Sequence, residues 1–170
     1  MLYLYVLAAI LLRLLPHPWN VTPLAAMFLF SGATFERKWQ SLLVPLVALM
    51  VSDYAVNQIL WGGRPTWFSP YTWGGFLLVG LIGWALRNRI SAPSVVAGSL
   101  AGSIVFFLVS NFGVWAAGRF YPLTWTGLAA CYTAAIPFFR NTVAGDLVYA
   151  GVMFGSYILI RHRRMATVKA

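Results

Sequence analysis

The stretch LLVPLVALMVSDYAVNQIL, Leu42 to Leu60, is apolar over most of its length and long enough to cross a bilayer as one helix. Its second half nevertheless carries Asp53 and Asn57. An ionisable side chain in lipid is costly, so such residues usually face a bundle interior or a water-filled cavity. The stretch therefore predicts a membrane helix that turns a carboxylate inward.

The composition extends this prediction to the whole chain. Its 170 residues are 61% hydrophobic and 9% charged, with a mean hydropathy of +0.77, whereas a soluble domain carries roughly 25% charged residues. The net charge of +9 comes from basic clusters (ERK, RNR, RHRR) that lie between apolar runs. This is the pattern of membrane loops and not of a nucleic-acid-binding surface. We predict an all-α integral membrane protein in which residues 1–170 form a single domain in the lipid bilayer, with no nucleic-acid partner.

Apolar runs alternate with short polar segments along the chain. A membrane-spanning helix needs about 20 residues, which the third, fifth and last runs supply. The first two are short, and the prolines of PHPWNVTP between them forbid a continuous helix. They form either two short helices or one broken span. The runs are Met1–Leu15, Thr22–Phe35, Leu42–Leu60, Thr72–Leu86, Ser94–Gly118, Thr124–Phe139 and Thr142–Ile160.

The number of spans depends on the run Thr124–Phe139. If it does not cross the membrane, eight of the twelve basic residues share one side, as the positive-inside rule favours. We therefore expect a six-transmembrane-helix bundle with a cytoplasmic C-terminus and an extra external interfacial or re-entrant helix, broken at Pro137. The eight residues are Arg37, Lys38, Arg87, Arg89, Arg161, Arg163, Arg164 and Lys169.

This topology brings the unusual polar residues to one depth, the outer half of the bundle. Asp53 and Asn57 lie one helical turn apart, as do Asp146 and Tyr149. Many of the aromatic residues also fall on the outer side, which favours a cover over a flat, partly apolar ligand. We predict that a solute-binding site contains Asp53, Asn57, Asn111, Asp146, Tyr149, Asn141, Trp19, Asn20 and Arg140.

Two structural alternatives stay open. Asp53 could pair with Arg13 or Arg140 as an internal strut that binds nothing. The small-residue ridges Gly98/Gly102 and Gly151/Gly155 could serve internal packing or hold a membrane partner.

No motif indicates catalysis or a bound cofactor. The sequence contains no CxxC, HExxH or P-loop pattern, and no nucleophile and base stand together. We therefore expect no enzyme activity and no cofactor. Cys131, the single cysteine, is a small apolar packing residue or a weak candidate ligand for a metal-centred substrate.

Four segments carry a resemblance: LPHPWNVTPLAAMFLFSGATF, VPLVALMVSDYAVN, SNFGVW and YPLTWTGLAACYTAAIPFFRNTVAGDLVYAGVMFG. The chain resembles a family of small bacterial membrane proteins of unassigned function, which is similar to the substrate-binding S-components of energy-coupling-factor vitamin transporters. The resemblance implies a six-helix bundle in the bacterial inner membrane with a vitamin or metal-ion site near the external face. A solitary vitamin B12 transporter of similar fold makes cobalamin a candidate. The first helix has Ala8 and Ala9 but lacks the Ala-xxx-Ala spacing for docking on a coupling protein.

Two functions follow as hypotheses. The first is membrane transport or capture of a small, vitamin-like solute at an externally open site. The alternative is a structural or assembly subunit of a membrane complex, in which the buried carboxylates are internal struts.

Overall fold

A computed structural model describes residues 1–15, 18, 20–62 and 69–168, and these residues form six helices. The helix limits follow the apolar runs closely, which confirms the predicted helical class. Within the described residues, the third, fifth and sixth of these helices are long and apolar enough to cross a membrane. The helices are α1 (Leu2–Leu14), α2 (Leu24–Thr34), α3 (Lys38–Trp61), α4 (Pro70–Leu86), α5 (Ala92–Ala116) and α6 (Trp125–Val168).

The first two apolar runs form two separate helices, and the second of them is the centre of the bundle. Every residue of α2 from Leu24 to Ala33 is buried, and α2 packs against all five other helices. A helix that is apolar all round is buried in either protein or lipid, and here the five other helices surround α2. The short α2 is therefore the core around which the longer helices pack.

Glycines let α2 and α4 approach each other at backbone distance. A Cβ added to Gly83 would lie 2.9 Å from the Cα of Gly32, and one added to Gly32 would collide with the carbonyl of Gly80. Small residues permit such close helix packing where apolar burial alone does not drive association. The α2–α4 contact thus depends on the absence of side chains at Gly32 and Gly83.

Arg87 fixes the ends of these helices at the side predicted to be cytoplasmic. Its Nε donates to the carbonyl of Gly32 (2.9 Å) and its Nη1 to the carbonyl of Glu36 (3.2 Å). Its guanidinium lies over the ring of Trp84, whose indole donates to Ser41 Oγ (2.9 Å). Arg87 therefore supplies donors to carbonyls near the C-terminal end of α2, where the helix itself offers none.

The predicted external helix is wrong as a separate element. Residues of Thr124–Phe139 form the beginning of α6, which continues through Pro137 without a break. Contacts with α5 hold the helix on both sides of Pro137: the Tyr132 hydroxyl donates to the carbonyl of Leu108 (2.7 Å), and Phe139 packs against Phe107. Proline removes one backbone hydrogen bond, and flanking tertiary contacts offset that loss. At 44 residues, α6 is about 66 Å long, roughly twice the hydrocarbon thickness of a bilayer.

The two small-residue ridges differ in use. A Cβ added to Gly98 or Gly102 would lie 3.1 Å from the side chains of Leu86 and Val79, respectively, so this ridge serves packing of α5 against α4. A Cβ added to Gly151 or Gly155 would meet nothing within 4 Å. The second ridge is open in the described structure.

Candidate functional site

A cavity of about 320 Å³ lies among all six helices and the segment that joins α1 to α2. Charged, hydroxyl, amide and aromatic side chains contribute to its wall. Such a mixture of apolar surface and a few convergent polar groups is typical of small-molecule sites. The described lining consists of Arg13, Asn20, Thr22, Leu24, Ala25, Leu49, Asp53, Thr72, Phe76, Phe106, Phe107, Ser110, Asn111, Ala135, Phe138, Phe139, Thr142 and Asp146.

One wall of the cavity holds an ion pair. Arg13, in the last turn of α1, places Nη2 at 2.5 Å from Asp53 Oδ1, and its Nη1 donates to Ser52 Oγ (2.6 Å). Trp73 of α4 donates its indole N–H to Asp53 Oδ2 (2.6 Å). Both oxygens of Asp53 therefore have partners. The sequence offers Arg13 and Arg140 as partners, and Arg13 is the one that pairs with Asp53. The pair connects α1 to α3, and the Trp73 hydrogen bond connects α4 to α3.

A second carboxylate of the lining, that of Asp146, has different surroundings. Asp146 of α6 is 4% exposed, and the Ser103 hydroxyl of α5 lies 2.7 Å from its Oδ2. Among the residues that the structure describes, no basic side chain lies within ion-pairing distance of Asp146. A buried carboxylate without a cation is costly unless it takes up a proton or a bound group compensates its charge.

The predicted asparagines divide between the cavity and the interior. Asn20 lies in the segment between α1 and α2, adopts a left-handed backbone conformation (φ 60°) and lines the cavity. Asn111 lines it from α5, with its amide N–H donated to the carbonyl of Phe107 (2.8 Å). Asn57 is 5% exposed and lies outside the cavity lining, and its Nδ2 has no hydrogen-bond partner among the described residues.

Of the four remaining predicted site residues, three lie outside the cavity lining and one lies outside the described residues. Arg140 and Asn141 are exposed on α6, and Tyr149 packs against the hydrophobic core. None of these three is part of the described lining. Trp19 lies outside the described residues, so its predicted place in the site stays a prediction.

Cys131 is buried near the beginning of α6 and faces α5. Its Sγ lies 3.5 Å from the carbonyl of Asn111, and the residue is not part of the cavity lining. This position fits the packing role that the sequence offers as one of two interpretations.

Sequence reasoning missed the aromatic part of the wall. Two aromatic pairs line the cavity: Phe76 stacks on Phe106 with ring centres 4.3 Å apart, and Phe107 packs against Phe139 at 4.7 Å. By contrast, Trp125, one of the aromatics expected to cover a ligand, is 85% exposed. The available signal was spacing: Ala135, Phe139, Thr142 and Asp146 recur at helical intervals and share one face of α6.

The chain belongs to the DUF6580 family, a family of unknown function whose model matches residues 1–168. No curated protein and no solved structure matches the chain. The site must therefore be interpreted from its own chemistry.

Proposed function

We propose that this protein captures a small, vitamin-like solute in the cavity between Asp53 and Asp146 and takes part in moving it across the membrane. In this proposal the helices form a six-span bundle of the bacterial inner membrane, related in architecture to the S-components of energy-coupling-factor transporters. The C-terminus is cytoplasmic and the cavity opens outward. The role is binding and transport, without catalysis.

The observation that carries the proposal is the cavity itself. A volume of about 320 Å³ falls at the lower end of the range for small-molecule sites. Its wall places Asp146, Asn20 and Asn111 around a space that a structural strut would not need. The volume favours a compact solute over a large one such as cobalamin.

The test compares small molecules that remain bound to the purified protein. Ala135 lines the cavity from α6, whereas the adjacent Ala134 is exposed and lies outside the lining. Ala135→Trp should fill the cavity, and Ala134→Trp makes the same change on the outer face. Mass spectrometry of extracts should find a compound in the wild type and in Ala134→Trp that is absent from Ala135→Trp. Equal content in all three proteins would refute a solute site in this cavity.

A second candidate function rests on the Arg13–Asp53 pair and on the open Gly151/Gly155 ridge. The pair, together with the Trp73 indole that donates to Asp53, connects α1, α3 and α4. The ridge offers a surface where a transmembrane helix of a membrane partner could pack closely. In this alternative the protein is an assembly subunit. Gly151→Leu should then release a co-purifying membrane protein, whereas under the transport proposal it should leave the bound solute unchanged.

A further inference from the structure

The charges around the cavity do not balance. Its described lining contains one guanidinium, that of Arg13, and two carboxylates, those of Asp53 and Asp146. Arg13 is bound to Asp53, so this pair is neutral as a unit. The formal charge of Asp146 is left without a counter-charge among the described residues.

Asp146 is also positioned to receive a ligand. Ser103 approaches one of its oxygens, Oδ2, while Oδ1 has no hydrogen-bond partner in the described part of the chain. The residue lies one turn from Thr142 on the face of α6 that lines the cavity. A solute in the cavity can therefore reach a carboxylate oxygen that the protein leaves unused.

Three neutral polar side chains of the lining, Ser110, Asn111 and Thr142, offer acceptors to a solute. The Ser110 hydroxyl donates to the carbonyl of Phe106 (2.7 Å), and the Thr142 hydroxyl donates to the carbonyl of Phe138 (3.3 Å). Asn111 donates one of its two amide hydrogens to the carbonyl of Phe107. A hydroxyl has one hydrogen to give and keeps its lone pairs, and an asparagine keeps its carbonyl oxygen. These three side chains therefore favour a solute that donates hydrogen bonds.

Much of the apolar wall is aromatic. The Phe76/Phe106 and Phe107/Phe139 pairs flank the cavity. Aromatic faces carry partial negative charge, so they attract organic cations and also accept flat rings by stacking.

From this combination we infer that the solute is a flat organic cation with N–H donors, whose positive group binds Asp146 and whose ring lies among the cavity phenylalanines. The inference rests on the proposed function, because it names the chemical class of the solute for the same site. An anionic solute would meet Asp146 as a like charge, and a neutral one would form no ion pair with it.

The experiment uses three naphthalene probes of similar shape that differ in charge. They are the cation naphthylmethylammonium, the neutral alcohol naphthylmethanol and the carboxylate anion naphthaleneacetate. Isothermal titration calorimetry measures their binding to the full chain in nanodiscs of phosphatidylcholine, with empty nanodiscs as the blank. We expect the cation to bind most tightly and the anion least. Asp146→Asn keeps the shape and an acceptor for Ser103, and it should weaken binding of the cation about tenfold or more while changing that of the alcohol little.

Glu36→Gln is the matched control, because it removes the same charge from the one acidic residue outside the cavity, which is exposed. It should leave all three affinities unchanged. Cation binding that is equally tight in Asp146→Asn would overturn the inference.

The Ala135→Trp variant separates this inference from the proposed function. If the alcohol or the anion binds at least as tightly as the cation, and Ala135→Trp abolishes that binding, the solute site stands but the cationic class is wrong. If no probe shows binding that Ala135→Trp removes, both the inference and the cavity as a solute site are contradicted.

Discussion

Asp53 and Asp146 both line the cavity, yet their hydrogen-bond partners differ. Asp53 has partners on both oxygens, from Arg13 and Trp73. Asp146 has a single hydroxyl neighbour, Ser103. The first is part of the framework that holds α1, α3 and α4 together, whereas the second keeps one oxygen without a partner among the described residues, which the proposed solute would bind.

Asp53→Asn should destabilise the protein, because it leaves the Arg13 guanidinium without its counter-ion in a largely buried position. The side chains of Arg13 and Asp53 are 16% and 12% exposed, and breaking such a pair costs about 3 kcal/mol. The measurement is the free energy of unfolding in a denaturant titration of the protein in mixed micelles.

The double variant Arg13→Gln with Asp53→Asn is its control. Removing both charges leaves no lone ion, so part of the lost stability should return. A single variant within about 0.5 kcal/mol of the wild type would contradict the structural role of the pair.

At the scale of helices, the packing of α2 against α4 can be tested by comparing the effect on stability of alanine at Gly83, which contacts α2, and at Gly151, where an added Cβ meets no described atom within 4 Å. Gly83→Ala pushes a methyl group into the backbone of α2 and should cost about 1–3 kcal/mol. Gly151→Ala meets open space and should stabilise α6 by about 0.5–1 kcal/mol, since alanine is the better helix former. Thermal unfolding of both variants checks this, and equal shifts in Tm would contradict the described α2–α4 contact.

The continuity of α6 through Pro137 can be measured as a distance. Spin labels at the exposed positions Thr133 and Val148 lie fifteen residues apart, and an unbroken helix separates them by about 22 Å along its axis. A control pair at Val96 and Phe112 in α5 should give about 24 Å. A Thr133–Val148 distance well below that of the control pair would show that the helix is broken at Pro137, as the sequence predicts, and would contradict a continuous α6.

The sequence predicts the helices well because apolar runs and their proline and charge boundaries are local signals. It fails at Pro137, where the outcome depends on Tyr132 and Phe139 packing against α5, and such contacts are not visible in a local pattern. It also leaves the centrality of α2 unseen, since an apolar helix in lipid and one in a protein core have the same composition. For the site, it identifies Asp53, Asp146, Asn20 and Asn111 by their unusual polarity, but it cannot choose the phenylalanines from among the chain's 28 aromatic residues.

At the scale of the whole molecule, orientation in the membrane is the first prediction to test. The segments around Glu36, Arg89 and Arg161 should share the cytoplasmic side, and the exposed Phe120 should lie outside. Single cysteines at these positions in a Cys131→Ala background should react with an impermeant reagent in intact cells only at position 120. Labelling at position 161 in intact cells would contradict the cytoplasmic C-terminus.

The central claim is that the cavity between the Arg13–Asp53 pair and Asp146 holds a solute. A high-resolution structure of the protein, purified from its native membrane into lipid nanodiscs, tests this claim most directly. We predict compact density in contact with Asp146 and the cavity phenylalanines, which is absent from the Ala135→Trp variant. A cavity that contains only water or a lipid chain, with Asp146 bound to a basic side chain of the protein itself, would contradict the claim.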